Sequence, residues 1–298
     1  MKILVTGASS LVGSHFVENY TLNVKDNIIL TPSAEEMDIT DKNSVENFCL
    51  VHRPDTIIHF AAFTDVLKAE DQRNNRAAPC WMINVGGTAN LINSVNNQSY
   101  FIYVSTDVVF SGHKDNPGPY AEDSPSEENS DLLSWYGWTK REAEQLVIKN
   151  FEKSLILRIS NPTRAKYAGK LDYVRKIINL YDINKLYPMF NDQYLTLTFI
   201  DEVTQTLKII LEKKCSGIYH VSSANLFTPY KLANYLIEKI GGKKESVKSI
   251  SIKAFLKDNP SRYPQYGGLK VDKTQQELSL KFRTWEEIVD SLVKQLSI

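Results

Sequence analysis

The feature that most constrains this chain is the alternation of short, wholly apolar runs with helical patterns. Lys2 to Thr6 (KILVT) is a β-branched run of the kind buried on both faces of a parallel sheet, and it leads directly into a small-residue turn, Gly7 to Gly13. From Ser14 the spacing of Phe16, Val17 and Tyr20 is helical. Asn27 to Leu30 reads as a second strand, stopped by Thr31-Pro32. Asp55 to Ala61, Tyr100 to Ser105 and Leu155 to Ile159 read as further strands, and helices are predicted over Met82 to Val95 and Tyr136 to Phe151. Strand–helix alternation at a spacing of about 25–40 residues specifies a Rossmann-type α/β fold, a doubly wound parallel sheet.

After Pro162 the rhythm breaks. Short strands at Leu195 to Phe199 and Gly217 to Val221 sit among helices predicted over Thr228 to Ile240 and Trp285 to Leu296, while Asn259 to Gly268 has no regular period. The expected organisation is a dinucleotide-binding domain over residues 1–160. A smaller C-terminal α/β substrate lobe follows over 161–298, some of whose segments can return to the first domain. The 298 residues suffice for both, with a core that needs no disulfide or metal staple. No internal repeat or low-complexity tract is visible. The longest loop of the first lobe, Ser111 to Leu133, is rich in Pro, Asp, Glu and Ser, and loops of that length are usually functional.

Charge and cysteine usage remove whole classes of function. Lys+Arg 35 against Asp+Glu 35 leaves no basic face for nucleic acid, although a local clamp for a small anion remains possible. Cys49, Cys80 and Cys215 are too few and too scattered for a disulfide framework or a zinc site, and Cys80 is expected to be buried and inert. No stretch approaches the ~18 apolar residues of a membrane span, and the N-terminus lacks the pattern of a secretory signal. A cytoplasmic protein without membrane contact is expected. The five histidines share no metal-ligand spacing, and His59 and His220, set in apolar strands, are expected in the core. No metal site is expected, and neither a GxSxG elbow nor a Walker lysine is present.

Three motifs carry chemistry. The first is Thr6-Gly7-Ala8-Ser9-Ser10-Leu11-Val12-Gly13 at the first strand–helix junction. Small residues there let the backbone approach a pyrophosphate while the helix N-terminus faces its charge. Gly7, Ser10, Leu11, Val12 and Gly13 are therefore candidate cofactor contacts, with Ser10 standing where the usual fingerprint has its middle glycine. The second strand then ends Leu30-Thr31-Pro32-Ser33, without the acid that binds an NAD ribose and without an arginine. Thr31 or Ser33 can donate to a 2′-phosphate, so NADPH is expected, with NADH also accepted. In Met37-Asp38-Ile39, Asp38 can lie beside an adenine amine; as a helix cap, Thr40 or Asp41 fits better.

The most specific motif is Tyr136-Gly137-Trp138-Thr139-Lys140. Tyr136 and Lys140 lie one helical turn apart on one face, where an ammonium lowers a phenol's pKa toward that of a working acid. About 30 residues earlier, Val104-Ser105-Thr106-Asp107 closes the fourth strand and places a hydroxyl at the ligand crevice of a parallel sheet.

With these residues in order, the chain resembles the extended short-chain dehydrogenase/reductase superfamily, and within it the dTDP-4-dehydrorhamnose reductase family. The likeness spans nearly the whole chain, including Arg53 to His59, Ala61-Ala62-Phe63-Thr64, Lys68-Ala69-Glu70, Asn84-Val85 and Ser105 to Phe110. It continues through Asn191 to Tyr194, Gly217 to His220, Ser261-Arg262-Tyr263-Pro264 and Leu269 to Lys273. The resemblance implies a Thr106/Tyr136/Lys140 catalytic triad. Tyr136 protonates a 4-keto oxygen, Lys140 holds the nicotinamide ribose, and Thr106 polarises the carbonyl. It places Ala62, Phe63 and Thr64 beside the cofactor, although Ala62 also suits tight strand-end packing and Phe63 plain core. It places Val66, Asp107 and Asn161 near a nucleotide-sugar substrate, with Arg262 as a pyrophosphate clamp.

The implied reaction is NAD(P)H-dependent reduction of dTDP-4-dehydro-L-rhamnose by an enzyme that is often a homodimer. Two departures bear on the substrate. The family carries Ser-Trp where this chain has Ser160-Asn161-Pro162, and a tyrosine where it has Val108. An epimerase or dehydratase of the same superfamily, or a non-catalytic NADP-binding regulatory subunit, are the alternatives.

Overall fold

The computed structural model describes residues 1–21, 27–96, 98–258 and 263–296. Five of the sheet's six strands lie before residue 160: β1 (Lys2–Thr6), β2 (Ile28–Leu30), β3 (Thr56–His59), β4 (Tyr100–Thr106) and β5 (Ser154–Ile159). They pair in parallel in the order β2-β1-β3-β4-β5, and a later strand, β9 (Gly217–Val221), adds to the β5 edge. The register places Thr6 beside His59 and Thr106 beside Ile159, so the strands end together along one rim. All seven residues of β4 are buried, as expected of a strand covered on both faces.

Helices cover both sides. α1 (Leu11–Thr21) packs one face, where Phe16 and Tyr20 meet Ile3, Val5 and Ile58. On the other face Leu4, Phe101 and Ile156 meet α2 (Lys42–His52) through Val45 and Cys49, and Ala143 and Val147 of α6 (Trp135–Asn150). The short α3 (Val66–Glu70) precedes a helical run over residues 79–94: α4 (Pro79–Trp81), a π-helical stretch (Met82–Gly87) and α5 (Thr88–Ser94). The sequence predicts one regular helix from Met82. The fold instead starts it at Pro79, preset for a first helical turn, and widens it where Asn84 is held by side-chain bonds. α6 (Trp135–Asn150) closes this layer.

Beyond residue 160 come β6 (Pro162–Thr163), α7 (Tyr173–Asp182), β7 (Met189–Phe190), β8 (Thr198–Phe199), α8 (Ile200–Lys213) and β9 (Gly217–Val221). They are followed by α9 (Pro229–Lys239), β10 (Ser249–Ile250), α10 (Lys253–Asp258), α11 (Asp272–Leu278) and α12 (Trp285–Leu296). α8 lays Val203, Leu207 and Ile210 into the same core as α1. α7, α9 and α12 build a separate core around Phe227, Leu232, Leu236 and Ile288. The strand predicted over Leu195 to Phe199 shrinks to Thr198–Phe199, because Leu195 pairs with Phe227 and the Thr196 carbonyl serves side chains instead. His59 and His220 are buried and neutral, with burial pulling each pKa down to about 3.

Candidate active site

The strand order reverses direction between β1 and β3, and in open parallel sheets ligands settle above such a point. Here the chain leaves β1 through Gly7, at φ 66°, and a Cβ there would lie 2.6 Å from the Ala61 nitrogen. At Gly13 a Cβ would lie 2.3 Å from the Gly7 carbonyl oxygen. Both positions therefore require glycine, which lets helix and turn close on one another. Ser10 is the helix cap: its Oγ accepts from the Gly13 N–H at 3.1 Å. Leu11 and Val12 occupy the first helical positions, whose N–H groups have no intrahelical acceptor and face an anion.

The resulting cleft, about 640 Å³, is bounded by Gly7, Ser10, Ser33, Asp38, Ile39 and Ala62. A backbone cradle that excludes Cβ atoms, with orphan helix amides at its end, fits a dinucleotide pyrophosphate. Thr31 is exposed outside this lining. The end of β2 also carries a charge that the linear sequence hides. Glu36 folds back so that its Oε2 accepts from the Ser33 N–H at 2.8 Å. Asp38 lines the cleft with Oδ1 tied to the Thr40 backbone and hydroxyl, each at 2.8 Å, while Asp41 caps α2. Phe63 and Thr64 do not line the cleft. Phe63 packs with Trp135 and Tyr136, and its backbone is clamped by Asn84, which accepts from the Phe63 N–H at 2.7 Å and donates to its carbonyl at 3.2 Å.

α6 is aimed by contacts at its first turn. Ser134 caps it, accepting from Gly137 N–H at 3.1 Å, and the Glu70 carboxylate accepts from Trp135 N–H at 2.9 Å. A Cβ on Gly137 would stand 2.1 Å from the Val108 carbonyl, so glycine lets the helix start lie directly on the Asp107–Val109 turn after β4. This close approach is what brings Tyr136 to Thr106. Two turns on, Glu144 holds the buried Arg158 of β5 by bonds of 2.9 and 2.7 Å, fastening helix to sheet. Asn84 also donates to Thr139 at 2.9 Å, so one side chain joins the Phe63 segment to α6.

The structure brings Thr106 and Tyr136 side by side, with Lys140 one turn further along α6. Burial, then the nearby Asp107 carboxylate, push the Tyr136 pKa upward, opposed by the neighbouring Thr106 hydroxyl. The lowering expected from Lys140 is not found. Lys140 is itself buried, which pulls its pKa down to about 7, and its Nζ donates to the Val104 carbonyl at 2.8 Å. It also stands 4.0 Å from the centre of the Tyr103 ring. Asp107 is buried too, and loss of solvent raises its pKa to about 6 against the opposing bonds from Ser160 and Thr106. Ser160 Oγ donates to Asp107 Oδ2 at 2.6 Å and Thr106 Oγ1 donates to Oδ1 at 3.2 Å.

On the far side of this group is a second cavity of about 470 Å³, walled by Val66, Asp107, Val108, Asn161, Tyr187 and Phe255 among others. Asn161 takes a left-handed backbone, φ 45°, and its Nδ2 donates to Ser160 Oγ at 3.2 Å and the Thr196 carbonyl at 3.1 Å. Arg262 lies outside the described residues, whereas its neighbours Tyr263 and Pro264 line the cavity. A further cavity of about 640 Å³, by His15, Arg164 and Asp201, holds a 3.0 Å contact between His15 Nε2 and Asp201 Oδ1 and none of the triad residues. Among the described residues, no group of three or more His, Cys, Asp or Glu could hold a metal ion, and no helix is long and apolar enough to cross a membrane.

Three contributors escape the sequence reading as site residues. Tyr167 lines the nucleotide cleft and donates to the Ser9 carbonyl at 2.8 Å, yet it sits in an irregular segment without a motif. Ser160 was legible only as part of a departure, and Asn84 only as part of a resemblance. Its hydrogen-bonding side chain in an otherwise buried helix was the available signal for Asn84.

The model of the RmlD substrate binding domain matches residues 1–298. The chain belongs to this family. Its curated relatives include the spore coat polysaccharide biosynthesis protein SpsK of Bacillus subtilis, 26% identical with 99% of this chain and 98% of that protein covered. They also include a dTDP-4-dehydrorhamnose reductase of Sinorhizobium fredii, 27% identical over 98% of this chain and 97% of that one. Among solved structures, the dTDP-4-dehydrorhamnose reductase of Bacillus anthracis in complex with NADP superposes with a TM-score of 0.85 at 24% identity, covering 99% of each chain. These family members share the fold from end to end, including the C-terminal elements that wall the second cavity.

Proposed function

We propose that this RmlD-family chain is an NAD(P)H-dependent reductase acting on the 4-keto group of a nucleotide-linked 6-deoxy sugar, with dTDP-4-dehydro-L-rhamnose as substrate and dTDP-L-rhamnose as product. The observation that carries the reading is the placement of Thr106 and Tyr136 side by side, at the end of β4 and the start of α6, with Asp107 and Val108 of the same turn walling the second cavity. In this reading residues 1–160 hold the nucleotide cofactor and the residues from 161 on shape the sugar-nucleotide pocket. The relatives' names support the reaction.

When bound, a reduced nicotinamide would supply the hydride. Gly7, Gly13 and the Leu11 and Val12 amides would cradle its pyrophosphate, Asp38 and Ile39 would flank the adenine end, and Lys140, whose Nζ here donates to the Val104 carbonyl, would turn to the ribose hydroxyls. Tyr136 gives its proton to the keto oxygen, and the Thr106 hydroxyl orients that oxygen. A phenol whose pKa is pushed up stays protonated at neutral pH, which is the state a reductase must keep loaded. The Glu36 carboxylate at Ser33 opposes a 2′-phosphate, so NADH serves alongside NADPH. Arg262 is the side chain proposed to meet the substrate's pyrophosphate. Three free thiols suit a reducing cytoplasm.

The test is stoichiometry. Purified protein with NADPH and dTDP-4-dehydro-L-rhamnose is expected to consume one NADPH per sugar and to yield dTDP-L-rhamnose by NMR. Sugar conversion without net NADPH loss would instead identify an epimerase.

A further inference from the structure

Asn161 stands on the wall of the second cavity with a left-handed backbone, φ 45°, a region that asparagine tolerates better than most side chains. Its amide is held by two contacts: Nδ2 donates to Ser160 Oγ at 3.2 Å and to the Thr196 carbonyl at 3.1 Å. A backbone carbonyl only accepts, so the end of the amide beside Thr196 must be the nitrogen. Both Nδ2 hydrogens are thereby committed. What remains is Oδ1, an acceptor that no donor among the described residues meets. It is accessible and not sealed in the core, on a residue that lines the cavity.

The same contacts fix where that oxygen lies. Ser160 Oγ donates to Asp107 Oδ2 at 2.6 Å, and Thr106 Oγ1 donates to Asp107 Oδ1 at 3.2 Å. Only Asp107 and Ser160 therefore separate the amide from the hydroxyl that orients the keto oxygen in the reductase reading. Two ring carbons flank the ketone of a 4-keto-6-deoxy hexose. C5 bears the ring oxygen and the methyl group, whereas C3 bears a hydroxyl. The donor beside the reacting carbon is thus the C3 hydroxyl.

We propose that Asn161 Oδ1 accepts the hydrogen bond of the C3 hydroxyl and so restricts the protein to sugar nucleotides with a hydroxyl beside the keto group, an inference that rests on the reductase reading and deepens it. A freely turning amide could present either end to the sugar; the Thr196 carbonyl makes the selection one-sided. The departure from the family's Ser-Trp exchanges an indole, which can only donate, for an amide oxygen, which can only accept. A 3-deoxy sugar leaves that oxygen without a partner beside apolar walls, and such a mismatch is what a polar site rejects. Asn161 reads the substrate and takes no part in moving the proton or the hydride.

The experiment compares dTDP-4-dehydro-L-rhamnose with its 3-deoxy counterpart, as kcat/KM for NADPH oxidation by the full chain. The wild type is expected to prefer the hydroxylated sugar by about tenfold or more. Asn161→Gly removes the amide and suits the left-handed backbone. In this variant the preference should shrink by about fivefold or more. Any effect of the hydroxyl on the reactivity of the ketone is common to both proteins and cancels between them. Where a variant turns over too slowly, the same preference is read as Kd for dTDP-L-rhamnose and its 3-deoxy form, by calorimetry on the protein with NADP+.

A wild type that handles both sugars equally well, or an Asn161→Gly variant that keeps the wild-type preference, overturns the assignment and leaves the reductase reading standing. A wild type that oxidises NADPH with neither sugar overturns the reductase reading, and the assignment with it.

Discussion

The two cavities differ in how their walls are held. The nucleotide cleft is made of backbone and short side chains locked by geometry: Gly7 and Gly13 admit no Cβ, Ser10 caps α1, and Asn84 ties the Phe63 segment to α6. The second cavity is walled by Val66, Val108, Met189 and Phe255, apolar side chains carried on loops and short elements, and by the phenols Tyr173, Tyr187 and Tyr263. Its other polar members are Asp107, Asn161 and Gln193. The proposed reading makes this a division of labour. In it the strand ends carry the chemistry, which tolerates little displacement. The second lobe would carry substrate choice, where apolar walls can be rebuilt without touching the reacting atoms.

The largest expected effect strikes the rigid side. Tyr136→Phe should lower turnover by about 10²–10⁴-fold while NADPH binding, followed by nucleotide fluorescence, stays near wild type. Loss of both together would mean that the phenol organises the cleft instead of donating a proton. Next is Gly13→Ala, which forces a methyl to 2.3 Å from the Gly7 oxygen. A cost of about 1–3 kcal/mol should appear as weaker NADPH binding and a lower Tm, both measured on the purified variant. An unchanged nucleotide Kd would show that the turn is not the cradle.

The other side of the comparison predicts a different signature. Asn161→Ala should raise KM for the sugar nucleotide several-fold with kcat nearly unchanged, the mark of a group that binds ground and transition states alike. A kcat loss as large as the KM rise would move Asn161 from the specificity wall to the chemistry. Smallest is Tyr167→Phe, which deletes only the bond to the Ser9 carbonyl. At about 0.5–1.5 kcal/mol for one hydrogen bond, NADPH should bind roughly two- to tenfold more weakly by calorimetry, with sugar KM unaffected.

Much of the rigid side was legible in the sequence, because a buried parallel strand and a helix announce themselves by period. KILVT followed by a glycine turn, and Tyr136 with Lys140 one turn apart, need no tertiary information to be placed. What was not legible depended on contacts between distant segments. Tyr167 meets the Ser9 carbonyl only once the second lobe folds back onto the first turn. Likewise Lys140, expected to lower the Tyr136 pKa, is buried against the Val104 carbonyl, and desolvation sets the phenol's behaviour. The return of β9 to the sheet beside β5 and the packing of α8 on α1 follow from pairing and not from local pattern. In the second lobe the apolar residues that wall the cavity carry no motif, and their positions came only with the fold.

The most direct measurement follows the hydride itself. NADPH deuterated at the transferring carbon of its nicotinamide is incubated with dTDP-4-dehydro-L-rhamnose, and the product is read by NMR. The account requires one deuterium at C4 of dTDP-L-rhamnose for each NADPH consumed. Product sugar without deuterium at C4, or label retained on the cofactor while the sugar is converted, would contradict it.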